Sequence, residues 1–163
     1  MPKTTTEQAS TADRLRARTR PTDTLTFCDD DTIRDDLARA KAEHAQAQTY
    51  GTEASKTTAA ERLAAAQAAF DETAIVLTFQ ALPRTEFEDL KKEHPPTEEQ
   101  AEDGQMINPN TLAPVLVSRS SLDGITLEDA TTYLTDWSEG EAAALFVTAW
   151  NVQNHRRSDL GKG

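Results

Sequence analysis

Five aspartates crowd one short stretch of this chain, Asp29, Asp30, Asp31, Asp35 and Asp36. Clustered carboxylate oxygens are what a hard cation binds, so the stretch is the first candidate for chemistry. Its spacing lacks the glycine and terminal glutamate of a calcium-binding helix–loop–helix, and acids at a helix start are favoured by the positive end of the helix dipole. The aspartates therefore read as helix-start acids. His44, His94 and His155 fall at a helix seam, a helix stop and a basic tail, and none reads as a ligand. Ser118, Ser120 and Ser121 lack a Gly-x-Ser-x-Gly elbow, Cys28 has no histidine near it in sequence, and the scattered glycines form no phosphate cradle. Acids are plentiful enough for a general acid–base pair, but no spacing selects one. The sequence predicts no catalytic, cofactor-binding or metal-ligating residues and no enzyme. A small hydrolase using the acidic cluster is the rival reading from the enzyme class.

Aromatic and large apolar side chains are the sharper signal. Two short helices, starting at Thr126 and Ser138, carry Tyr133, Leu134, Trp137, Leu145, Phe146 and Trp150, and a proline-bounded apolar segment from Asn110 to Arg119 precedes them. Such side chains dominate both cores and interfaces. Trp137 and Trp150 either fill the core of a three-helix unit or stand partly exposed at a partner groove, and both readings can hold for different faces. The binding reading assigns partner contact to Leu112, Val115, Leu116, Tyr133, Trp137, Phe146 and Trp150.

Charge narrows the partner. The chain has 163 residues and a formal charge of -11. Residues 1–20 hold Lys3, Arg14, Arg16, Arg18 and Arg20 against Glu7 and Asp13, so the remainder is more acidic still. An acidic body repels nucleic acid and anionic lipid, so neither is an expected partner, and nucleic-acid binding could come only from the basic tail. The basic tail is too poor in large apolar residues to offset its ordering entropy and is expected to be disordered. No apolar stretch precedes Leu25, so no secretory signal is expected, and the longest apolar run, Ala142 to Val147, is too short to span a bilayer. A soluble cytoplasmic protein is expected, with Cys28 a buried free thiol.

These residues need elements to position them. Thr24 to Cys28 alternates as a short strand with Leu25 and Phe27 on one side. Ile33, Leu37, Ala40, His44 and Ala47 then recur at four-three spacing, Tyr50-Gly51-Thr52 breaks the pattern, and Ala59, Leu63, Ala66 and Phe70 resume it. That is a coiled-coil seam on each arm of an αα-hairpin. The second arm begins near Glu53 or at a capping box of Thr58 with Glu61. Thr73 to Leu82 reads as a second strand that pairs with the first, because a helical hairpin brings its ends together. Thr85 with Glu88 predicts a capping box for a short helix, stopped at His94-Pro95-Pro96. Thr97 to Asn108 lacks periodicity and reads as an acidic linker. Pro109 suits a first helical position, whereas Pro114 predicts a kink or a late start. Thr126 with Asp129 and Ser138 with Glu141 mark two helix starts, with Ile125 and Trp137 as hydrophobic staples. Ala142, Leu145, Phe146, Ala149 and Trp150 make a broad apolar face.

The expected class is mostly α, within α+β. It comprises a disordered basic tail (1–22), a strand–hairpin–strand–helix unit (23–93), an acidic linker (94–108), a C-terminal helical unit (109–154) and a disordered tail (155–163).

The segment Phe87-Glu-Asp-Leu-Lys-Lys-Glu-His-Pro-Pro96, followed by Asn110-Thr-Leu-Ala-Pro-Val-Leu-Val-Ser118, Thr126-Leu-Glu-Asp-Ala130 and Trp137-Ser-Glu-Gly-Glu-Ala-Ala-Ala-Leu-Phe146, resembles the tail assembly chaperones of long-tailed (siphovirus-type) actinobacteriophages. The resemblance covers roughly Leu25 to Asn154 and rests on the order and character of segments. Ser118-Arg-Ser-Ser121 departs from the apolar, alanine-rich helix expected there. The resemblance implies a factor of the host cytoplasm, absent from the virion, that binds the tape measure protein and keeps it soluble while the tail tube polymerises. The tail tube protein and self-association are further candidate partners. It also implies ribosomal frameshifting near Gly161-Lys162. The alternative is a minor tail or head–tail connector protein retained in the virion.

Overall fold

The computed structural model describes residues 9–158, and within them eight helices accompany one two-stranded antiparallel sheet. The expected class, mostly α within α+β, is the class observed. Contacts divide the chain into two units, Thr24–Leu77 and the remainder of the described residues.

Strand β1 spans Thr22–Phe27 and pairs with β2, Ile75–Gln80. Residues of β1 alternate strictly between exposed and half-buried, with Leu25 and Phe27 on the sheltered side, as period two demands. Between the strands lie α2, Asp31–Tyr50, and α3, Glu53–Thr73. Asp30 caps α2 by accepting the Ile33 N–H at 3.1 Å, and Thr52 caps α3 by accepting the Ser55 N–H at 3.2 Å. The earlier of the two expected starts is therefore the one α3 uses. Leu37 and Ala40 meet Ala66, flanked by Leu63 and Phe70, so the sheltered positions are those of the predicted seam. Cys28 is a buried free thiol, and its Sγ lies 3.8 Å from the Asp30 carbonyl.

The other unit holds α4, Arg84–Glu93, α5, Glu98–Glu102, α6, Pro109–Ser120, α7, Leu127–Asp136, and α8, Glu139–Gln153. Its interior is built on Phe79, Leu90, Leu112, Leu116, Val117, Leu145 and Val152, all fully buried. The far edge of β2 is tied by an antiparallel bridge from Phe79 to Ser121 and by the Leu122 N–H to the Thr78 carbonyl at 2.8 Å. Ring contact between Phe87 and Trp150 places α4 with the C-terminal helices, which corrects the predicted boundary that grouped it with the hairpin.

Three local expectations are also corrected. Residues 11–16 of the basic tail form helix α1, Thr11–Arg16, because Ser10 accepts the Asp13 N–H and Arg16 pairs with Asp13 at 2.7 Å, although no residue of this helix is buried. Of the predicted tails, residues 1–8 and 159–163 lie outside the described residues, and with them the proposed frameshift position. Within the predicted linker, α5 is nucleated by a capping box between Thr97 and Gln100, and the Asn108 N–H donates to the His94 carbonyl at 2.9 Å to close the loop. Helix α4 starts at Arg84 behind Pro83 with no side-chain cap, so Thr85 and Glu88 form no capping box. Helix α6 starts at Pro109, the expected first position, and runs through Pro114, so of the two alternatives there the late start does not occur.

Candidate partner-binding groove

Three helix starts fix the geometry of the C-terminal helices. Asn108 accepts the Asn110 N–H at 3.1 Å ahead of Pro109, whose missing N–H costs nothing in the first turn. Thr126 and Asp129 form a reciprocal box, each bond 3.0 Å. The Thr126 N–H, then its side chain, hold the Asp129 carboxyl below its usual value of 3.8. Ser138 accepts the Glu141 N–H at 3.3 Å and donates its hydroxyl to that carboxylate at 2.9 Å.

With its start pinned, α6 turns Leu112, Ala113, Leu116, Val117 and Ser120 inward. The Ser120 hydroxyl is satisfied by the Leu116 carbonyl at 2.6 Å, so burying it leaves no orphaned polar group. Ser118, another residue of the segment that departs from the phage pattern, donates to the Ile125 carbonyl at 3.0 Å and thereby anchors the turn into α7. Helix α8 divides its apolar face in two: Leu145, Ala149 and Val152 are fully buried, while Ala142, Phe146 and Trp150 are half-buried.

An open groove results. Pro109, Asn110, Ala113 and Pro114 form one wall, Thr131, Leu134 and Thr135 the second, and Ala142, Ala143 and Phe146 the third, around about 300 Å³. Of the residues expected to meet a partner, Phe146 lines this groove. Trp150 lies 6.0 Å from it by ring centroids and packs edge-on against Phe87 at 5.4 Å. Tyr133 and Trp137 stack at 4.7 Å with 15° between their planes. Val115 is half-buried, as are all four aromatic side chains of this set. Leu112 and Leu116 are a correction: both have zero exposure, because the side of α6 they share is the one the unit closes upon. They hold α6 in place and cannot touch a partner without unfolding it.

Sequence reasoning missed Ala113, Pro114, Leu134, Ala142 and Ala143 as lining residues. Ala142, Ala143 and Phe146, spaced as i, i+1 and i+4, carried a usable signal, since small residues on an apolar face leave room beside a large one. Phe87 was missed too, and only tertiary packing brings it to Trp150.

Electrostatically this region has one sign. Between residues 97 and 154 stand ten carboxylates and a single cation, Arg119, which approaches Glu86 at 3.7 Å. Several of the hairpin's acids are engaged locally. Asp30 caps α2, Asp31 pairs with Arg34, and Arg62 bridges Glu43 and Asp36 at 2.8 Å each. The Glu43 hydrogen bond, followed by that of Asp36, raises the Arg62 pKa further. Among the described residues no group of three or more His, Cys, Asp or Glu side chains is arranged to hold a metal ion. His94 shares a hydrogen bond of 3.0 Å with the Thr111 hydroxyl, and His44 lies 3.3 Å from the Gln48 amide. No helix among the described residues is long and apolar enough to cross a membrane.

Compared with protein-family models, curated proteins and solved structures, the chain finds no match.

Proposed function

We propose that this chain is a tail assembly chaperone of a long-tailed actinobacteriophage, binding the tape measure protein in the host cytoplasm and keeping it soluble while tail tube subunits polymerise around it. The observation that carries this reading is the open groove of α6, α7 and α8, lined by the half-buried ring of Phe146 within the acidic stretch 97–154. Half-buried rings offer apolar area to a partner at small cost, because packing already fixes their rotamers. A tape measure protein is an extended helical chain with apolar stripes. An acidic cover would shield such stripes while its charge kept the complexes apart. The order of segments from Phe87 to Phe146 supports the same reading, which assigns the chain no reaction.

Co-expression with the tape measure protein, followed by affinity purification, tests it. The client is expected to stay soluble and co-purify with the wild-type chain, and Phe146→Asp is expected to reduce recovery about tenfold or more at unchanged helix content. A client that is equally soluble alone and does not co-purify would remove the reading. Mass spectrometry of purified virions separates chaperone from connector, since stoichiometric presence in the particle would favour a retained structural protein.

A further inference from the structure

We propose that the groove between α6, α7 and α8 accepts a single amphipathic α-helix whose apolar stripe is flanked by lysine and arginine; this rests on the chaperone reading and specifies the client segment it would bind. The walls select a helix. All the lining residues belong to helices, so the groove offers no unpaired strand edge to an extended segment. An extended segment laid there would bury N–H and C=O groups with nothing to pair them, whereas a helix satisfies its own. The lining selects the approach: Ala113, Ala142 and Ala143 are small enough to let a helix backbone come close, and Leu134 and Phe146 supply apolar contact.

The charges select the flanks. Glu128 stands one turn before Thr131 on α7, and Glu139 one turn before Ala142 and Ala143 on α8, so both continue the lining faces. Neither helix carries a lysine or an arginine. On the α6 wall, Pro114 has no N–H to give the Asn110 carbonyl, so an acceptor lacks its usual helical donor beside the groove. Lysine and arginine bring positive charge and only donors, whereas an acidic helix would meet like charge.

Anisotropy titrations of the full chain with labelled synthetic peptides test this. Three peptides of about 20 residues, long enough to form a helix, suffice: a leucine stripe with lysine flanks, the same stripe with glutamate flanks, and the lysine peptide broken by two central prolines. The first is expected to bind about tenfold or more tighter than either other, and to weaken as salt rises. Ala143→Lys, at an exposed lining position, is expected to lower its affinity about tenfold at unchanged circular dichroism, and Thr135→Lys on the opposite wall to act likewise. Equal binding of the three peptides, tight binding of the proline-broken one, or indifference to both substitutions would overturn the proposal. A change in the sedimentation mass of the unliganded chain on Ala143→Lys would assign the groove to a second copy and overturn it equally. Client co-purifying undiminished with Ala143→Lys protein would leave the chaperone reading standing and remove the groove, whereas no co-purification with wild type removes the reading itself.

Discussion

The Thr126–Asp129 box shows how two residues set a helix start and how pH would undo it. Thr126 gives its N–H to Asp129 and accepts the Asp129 N–H in return, two of the donors that a helix start otherwise leaves unpaired. Because the Thr126 N–H and side chain favour the charged carboxylate, the folded-state pKa lies below 3.8. A depressed folded value contributes stability that is complete above the unfolded pKa and disappears as pH falls through the folded one. The stability difference between wild type and Asp129→Asn should therefore be constant above about pH 5 and shrink steadily below it. Thr126→Ala should cost about 1 kcal/mol at neutral pH. Urea titrations at a series of pH values check both, and a difference that ignores pH down to 2 would show that the carboxylate charge plays no part in the cap. Caps of this kind were legible because they depend on neighbours in the chain. The failure at Thr85 is instructive: the pattern was present, but α4 opens two residues earlier, behind Pro83 and without a side-chain cap.

At the scale of elements, the hairpin was the most legible part of the fold. A four-three repeat over two arms leaves only one way to bury Leu37, Ala40 and Ala66 together, and those are the buried seam residues. The break in the repeat places the turn at Tyr50-Gly51-Thr52, but does not convey the reason for its glycine. Gly51 sits at the end of α2 with an ordinary negative φ, so its freedom at positive φ is not the reason for it. Space is: a Cβ there would stand 2.5 Å from the Ala47 carbonyl oxygen and clash with Ser55 Oγ. Ser55 can rotate aside, whereas the Ala47 carbonyl is held by the Gly51 N–H at 2.8 Å. Gly51→Ala should thus destabilise the hairpin by more than about 1 kcal/mol, and adding Ser55→Ala should recover little of it. An unchanged midpoint in thermal or urea unfolding would contradict that account. Helix α6 shows the opposite kind of limit. Its apolar residues are readable, but which side of the helix faces inward depends on α7 and α8, so the sequence does not separate the buried Leu112 and Leu116 from the groove-lining Ala113 and Pro114. The groove's one lining ring, Phe146, was legible; its small and aliphatic lining was not.

Across the whole molecule, burial is unevenly shared. Of the buried apolar residues described, Thr24–Leu77 contains Cys28, Leu37, Ala40 and Ala66, and Leu37 is the single large aliphatic among them. The other unit contains the remaining twelve, including Phe79, Phe87, Leu90, Leu112, Leu116 and Leu145. Apolar burial contributes about 25 cal/mol per Å², and alanine supplies little area, so the hairpin has much less to set against the backbone entropy of ordering two long helices. Its stability leans instead on helix propensity, with alanine the commonest residue of α3, and on ion pairs such as those of Arg62, which are exposed and therefore weak. Opening of the hairpin should accordingly require less free energy than opening of α6 and α8. Hydrogen exchange followed by mass spectrometry should find amides of 31–73 exchanging well before those of 112–120 and 142–152, with protection in the hairpin falling further as salt screens its ion pairs. Equal protection in the two regions would mean that the hairpin is buttressed by something beyond its own seam. If the groove is where a client binds, its amides should gain protection on complex formation while the hairpin's remain fast, because ligation stabilises only the elements whose opening it opposes.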